Sequence, residues 1–208
     1  MGQPQPILYA VRHGQTILNA QDAYRGPTNV PLDATGWRQA NKLKEYFSGQ
    51  DFSYAFSSDK TRATDTVDKI LEGRELKPII HAGLRALDVG DLGGKPKTPE
   101  SVEVVKYHFE HQDIPMPGGE SFSGFKARVN PLILDAINLG LENENPVLLV
   151  VHSSIIHEIG TIIGGHHEYT LVEPGGVAAI FIKDGKLDAE PVYRKKEGGS
   201  MDRPNIIT

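Results

Sequence analysis

The 208-residue chain contains no cysteine, which removes disulfides, thiolate nucleophiles and cysteine-ligated zinc together. Chemistry has to come from histidines, carboxylates, hydroxyls or guanidinium groups. No apolar run approaches the roughly eighteen residues of a membrane span, and the opening MGQPQPILYAVRHG lacks the basic start and apolar length of a signal peptide. A cytoplasmic chain with no membrane partner is expected. Long Lys/Arg stripes are missing too, and the formal charge is −5, so nucleic acid is not an expected partner. Any anion site must be built locally. Internal repeats, low-complexity tracts and linkers are lacking, and 38% hydrophobic content suits a single domain over residues 1 to 208. The glycines of GDLGGKP at 90 to 96 miss the phosphate-loop spacing, with Pro96 where Ser or Thr should bind magnesium, and no GxGxxG follows the first apolar run. Nucleotide cofactors are therefore not expected.

What is present alternates. Short apolar runs that read as buried strands occur at 7 to 11, 54 to 56, 78 to 80, 146 to 151 and 177 to 182. Helical stretches lie between most of them. Asp33 is placed to cap the stretch at 35 to 47; Ser58 or Asp59 to cap 60 to 73, with Gly73 as its stop; and Thr98 precedes Pro99 at a first helical position. A long helical pattern from Ser121 to about Leu141 contains Pro131, which predicts a kink or two helices. This order predicts an α/β fold, three-layer α/β/α, with a mostly parallel central sheet whose strand carboxyl ends form the binding edge. Asp184-Gly185 predicts a hairpin returning as an antiparallel edge strand, and residues 195 to 208 read as a loose tail.

Two of the strand-like runs end in histidine, as Arg12-His13-Gly14 and as His152-Ser153-Ser154. In an α/β sheet both emerge at one edge. Arg62, near the start of the helix after the run at 54 to 56, points toward the same crevice, where a helix N-terminus already favours an anion. Two guanidinium groups with two imidazoles suit a phosphoryl group, because guanidinium grips two phosphate oxygens at once. Other histidines, His108 with His111 and His166-His167-Glu168, have spacings that could seat two imidazoles on one metal, but no third ligand is evident and no metal is expected.

The chain resembles the histidine phosphatase superfamily, the phosphoglycerate-mutase-like proteins. The resemblance rests on VRHGQTILN at 11 to 19, YRGPTNVPLDATGWRQA at 24 to 40, SSDKTRATDT at 57 to 66, PGGESFSGFKARV at 117 to 129 and VVHSS at 150 to 154, in family order. A lone RHG would be weak; the ordered set is specific. It implies a phosphoglycerate-mutase-like fold and a phosphatase that needs no metal or cofactor, with a small phosphorylated substrate and room for a homodimer. It also implies that His13 is the nucleophile, forming a phosphohistidine that water hydrolyses, while Arg12, Arg62 and His152 hold the phosphate and spread its charge. Asn19 matches a phosphate-contacting position, Arg25 and Gly26 a loop over the substrate, and Gly14 belongs to the signature. Ser153 stands where the family usually has glycine, and its N–H can still donate. Residues 95 to 118 read as a moderate insertion that caps the substrate and sets specificity. Its size points to the short, phosphatase-like branch, with a phosphoglycerate-type mutase as the alternative.

The stretch LRALDVGDLGG at 84 to 94 departs from the family. A glutamate that protonates the leaving oxygen is usual at the third position; here it is Ala86. Losing a positioned acid typically costs about 10²- to 10⁴-fold. Asp88 is the preferred replacement, Glu120 an alternative otherwise read as substrate-positioning, and a leaving group that needs no acid a third option. A module that binds phospho-ligands without turnover is the competing function, and a metal hydrolase using the spare histidines another.

Overall fold

Alternate residues of each central strand point to opposite faces, and both faces are apolar. The computed structural model describes residues 4–26, 28–164 and 172–193. Strands β1 (Pro6–Arg12), β2 (Tyr54–Ser57), β3 (Ile79–Ile80), β4 (Val147–Val151), β5 (Val177–Lys183) and β6 (Lys186–Tyr193) form one sheet in the order β3-β2-β4-β1-β5-β6. β3, β2, β4 and β1 are mutually parallel; β5 runs antiparallel to β1 and β6 antiparallel to β5. The β5–β6 turn has positive φ at both Asp184 (51°) and Gly185 (75°), the type I′ signature of a two-residue hairpin.

Tyr9, Val11, Leu148 and Val150 pack on one face against Leu43 of α2 (Ala34–Tyr46), its C-cap residue Phe47, and Val67 and Ile70 of α3 (Thr61–Ile70). Leu8, Ala10, Leu149 and Val151 pack on the other, against Val129, Ile133 and Ile137 of α5 (Phe122–Glu142) and Ile155 and Ile159 of α6 (Ser153–Ile162). These are the expected three layers. Leu148 and Leu149 are fully buried, and truncating either to alanine should cost about 2–5 kcal/mol. A short helix α1 (Ile17–Ala20) follows β1, and α4 (Pro99–Glu110) lies within residues 95 to 118.

Four local expectations are corrected. Of the kink or two helices expected at Pro131, two helices are overturned, since α5 runs unbroken through it: the lost Pro131 N–H is outweighed by flanking burial of Val129 and Ile133. Neither Ser58 nor Asp59 is the N-cap of α3, which falls on Lys60 without a side-chain bond; the Ser58 hydroxyl accepts from the Lys60 N–H at 3.2 Å and meets His152, and the Asp59 carboxylate pairs with Arg85. The helix ends at Ile70 rather than running up to Gly73, whose φ of +87° falls beyond the Leu71 cap. Strand β3 is not buried: it is the sheet edge, with Ile79 and Ile80 47% and 44% exposed. Thr98 does cap α4, its Oγ1 accepting from Ser101 N–H with Pro99 in the first turn. The tail from 195 and the cluster His166, His167 and Glu168 lie outside the described residues.

Candidate active site

Register builds the site. Arg12 pairs with Val151, and Ser57 with Val150, so the next residues, His13, His152 and Ser58, stand side by side at the strands' carboxyl ends. The His13 and His152 ring centroids are 5.1 Å apart, and both side chains are buried.

Hydrogen bonds decide the His13 tautomer. Its Nδ1 lies 2.7 Å from the Gly14 carbonyl oxygen, which can only accept, so Nδ1 carries the proton. Nε2 therefore keeps its lone pair, and Arg62 Nε–H donates to it at 3.2 Å. The imidazole lone pair and a guanidinium meet at one point. Burial, then the charges of Arg62 and Arg12, push His13 well below the ordinary imidazole range, against the opposing Gly14 bond. His152 is lowered well below that range by burial and by Arg62. Both rings are neutral at pH 7, as a nucleophile requires.

Arg62 is fully buried and also donates to the carbonyls of Thr28 at 2.7 Å and Gly26 at 3.4 Å. Arg12 donates to the Val172 carbonyl at 2.9 Å and Arg25 to that of Ala23 at 3.4 Å. Among the described residues these three arginines make no ion pair; their partners are backbone oxygens and, for Arg62, the His13 ring. Burial, then the Arg25 charge, lowers Arg12 to about 9 and Arg62 to about 10, so both remain charged at pH 7. Arg12 Nε and His152 Nδ1 are buried with no hydrogen-bond partner. Buried orphans of this kind cost about 1–3 kcal/mol each. Uncompensated positive charge beside unsatisfied polar atoms is the electrostatics of an oxyanion site.

Gly14 contributes by close approach. A Cβ there would lie 2.6 Å from the Gly36 carbonyl oxygen, and one on Gly36 would lie 2.1 Å from that of Gln15. Only glycine at both positions lets the turn after β1 rest on the first turn of α2. The Gly14 N–H donates to Thr66 Oγ1 at 3.1 Å, and that hydroxyl donates to Arg62 O at 2.7 Å. Asn19 is half-buried on α1, and its side chain turns back on the helix's own cap: Oδ1 accepts from the Thr16 N–H and hydroxyl, closing a capping box. Ser153 opens α6 directly after His152, and Gly26 has a φ of +48° in the loop beneath Arg62.

The turn at 84 to 94 lies on this edge. Leu87 N–H donates to Ser154 Oγ at 3.1 Å, joining the turn to α6 one residue beyond Ser153. One Asp88 carboxylate oxygen accepts from Gly90 N–H at 2.9 Å, and Asp88 N–H donates to Glu120 Oε1 at 2.9 Å. Glu120 is also paired with Arg128 at 2.6 Å. Its carboxylate is thus occupied by protein partners, whereas Asp88 and Ala86 are both only partly buried.

Several contributors were not singled out by sequence reasoning. Ser58 is buried with its Oγ 2.9 Å from His152 Nε2. Thr66, four residues after Arg62, was legible from helical spacing alone. Lys60 holds its ammonium within electrostatic reach of Arg85, Asp59, Arg62 and Asp88. Arg128 had no sequence signal, since its partners are eight to forty-five residues away. Nδ1 of His108 faces the Ile114 carbonyl and Nδ1 of His111 that of Tyr107. Among the described residues no three metal-ligating side chains gather, and no helix is long and apolar enough to cross a membrane.

A 2,3-bisphosphoglycerate-dependent phosphoglycerate mutase of Rhizobium etli is 33% identical over 161 residues, covering 73% of this chain and 77% of its own. The fructose-2,6-bisphosphatase TIGAR of Xenopus tropicalis is 30% identical over 66% of this chain and 52% of its own length. The crystal structure of the alpha-ribazole phosphatase from Shigella flexneri superposes with a TM-score of 0.73 at 25% identity, covering 94% of this chain and 99% of that one. The sequence profile of the histidine phosphatase superfamily, branch 1, matches residues 8–172. With His13, Arg62 and His152 assembled inside that span, the chain belongs to the histidine phosphatase superfamily.

Proposed function

We propose that the protein is a metal-independent phosphomonoesterase that hydrolyses a small phosphorylated substrate through a phosphohistidine on His13. The observation that carries this reading is the neutral His13 Nε2 lone pair met by Arg62 Nε at 3.2 Å. Nε2 attacks phosphorus, the P–O bond to the leaving group breaks, and Asp88 protonates the departing oxygen. Water then attacks the phosphohistidine and returns His13, with its proton passing to the Asp88 carboxylate. Arg12, Arg62 and His152 hold the phosphoryl oxygens, and the Gly14 and Ser153 backbone lies beside them. Asn19, Arg25 and Gly26 line the approach.

The test compares p-nitrophenyl phosphate, with its weakly basic leaving group, and an alkyl phosphate. Both should turn over and both should stop in His13→Ala. Asp88→Asn should slow the alkyl ester by about 10²- to 10⁴-fold and the nitrophenyl ester far less. Unchanged alkyl turnover would remove Asp88 from the mechanism. A mutase reading is favoured by the Rhizobium etli relative. It predicts that, with a bisphosphate primer, phosphoglycerates interconvert faster than phosphate is released; we expect the reverse.

A further inference from the structure

The acid turn has an unusual anchorage. Arg128 of α5 donates through Nη1 to the carbonyls of Gly83 at 2.7 Å and Arg85 at 3.0 Å, and through Nη2 to that of Ala86 at 3.4 Å. The same guanidinium forks onto Glu120, Nη2 to Oε1 at 2.6 Å and Nε to Oε2 at 3.3 Å, and lies over the Phe125 ring at 5.3 Å. Glu120 passes the restraint on: its Oε1 accepts from Asp88 N–H at 2.9 Å, and its own N–H donates to Asp88 O at 3.1 Å. Both side chains of the pair are about one-quarter exposed, so solvent screening weakens it only in part.

Backbone contact makes the join rigid. A Cβ on Gly90 would lie 2.0 Å from the Pro117 carbonyl oxygen, and one on Gly119 would lie 2.4 Å from that of Asp88. The turn and the PGGES loop therefore touch main chain to main chain.

We infer that Arg128 and Glu120 form a positioning clamp that sets where the Asp88 carboxyl stands relative to the leaving group; neither touches substrate. The inference rests on the proposed role of Asp88. With alanine at position 86, the acid comes from two residues further along the turn, on a side chain one methylene shorter than glutamate. Its reach then depends on backbone placement, and a displacement of about 1 Å can cost on the order of 10²-fold. Arg128 binds the carbonyls on the approach to Asp88, and Glu120 binds Asp88 itself.

The test uses the full chain with Arg128→Met, Arg128→Lys and Glu120→Gln, each confirmed folded by circular dichroism. Alkyl phosphate turnover should fall about 10- to 100-fold in Arg128→Met, through kcat, while p-nitrophenyl phosphate changes less than about threefold. The dependence of log kcat/KM on leaving-group pKa should steepen. Lysine at 128 should recover part of the loss, and adding Arg128→Met to Asp88→Asn should cost little more. Glu120→Gln, which keeps an oxygen for the Asp88 amide but breaks the ion pair, should show the same selectivity more mildly. Equal losses on both esters, or full additivity with Asp88→Asn, overturn the clamp and leave the hydrolase reading standing. No phosphate release from either ester by the unmutated protein overturns both.

Discussion

Two buried neutral histidines should make this protein sensitive to mild acid. His13 and His152 are both lowered well below the ordinary range, chiefly by burial and then by the Arg62 charge. In the unfolded chain each returns to about 6.5. For a depressed histidine the stabilisation is fully present above the unfolded value. It is lost as pH falls from there toward the folded value, because the unfolded chain takes up protons that the folded one refuses. Each such ring costs about 1.4 kcal/mol per pH unit in that window. Together the two rings give a slope of about 3 kcal/mol per pH unit in that window, against the 5–15 kcal/mol typical of a domain. The assay is urea unfolding from pH 7 to 5 in phosphate-free buffer, for the unmutated protein and for His13→Gln/His152→Gln. The expected slope should fall by more than half in the double variant, whatever its absolute stability. A flat profile between pH 6.5 and 5, or a slope unmoved by the double substitution, refutes the reasoning.

Three further outcomes follow from the same geometry. Gly36→Ala drives a methyl to within 2.1 Å of the Gln15 carbonyl oxygen, so thermal unfolding should show a loss of about 2 kcal/mol or more, with turnover reduced because Gly14 and His13 sit on that contact. Arg62→Met removes the guanidinium at His13 Nε2 and should lower kcat/KM by about 10²- to 10³-fold, mostly through kcat, as measured with p-nitrophenyl phosphate. Incubation with a chelator should leave that rate unchanged; loss of activity would instead favour a metal hydrolase.

Fold and site were legible to different depths. The short, continuous apolar runs ILYAV and PVLLVV placed β1 and β4 as strands buried on both faces, and their terminal histidines then had to emerge together, because parallel strands in register end at one edge. The caps at Asp33 and Thr98 followed from local chemistry that nothing in the tertiary structure contests. Ser58 and Asp59 misled for the opposite reason. Ser58 Oγ meets His152 and accepts from the Lys60 N–H just ahead of the helix, and Asp59 goes to Arg85 at 2.8 Å, so neither bonds a first-turn N–H of α3. Pro131 failed to break α5 because its neighbours bury against the sheet. The Arg128–Glu120 join was unreadable: its meaning lies in carbonyls that only folding brings within reach. Ala86 was visible as a missing acid, but whether Asp88 stands in for it depends on that join.

The central claim is a covalent bond between phosphorus and His13. An alkaline, denaturing quench of the protein mixed with p-nitrophenyl phosphate, followed by mildly alkaline digestion and mass spectrometry, detects such a bond. The account predicts one added phosphoryl group on the peptide containing His13, stable to base and lost in acid, and absent from His13→Asn. Phosphate release with no adduct at His13, or an adduct that survives in His13→Asn, would contradict it.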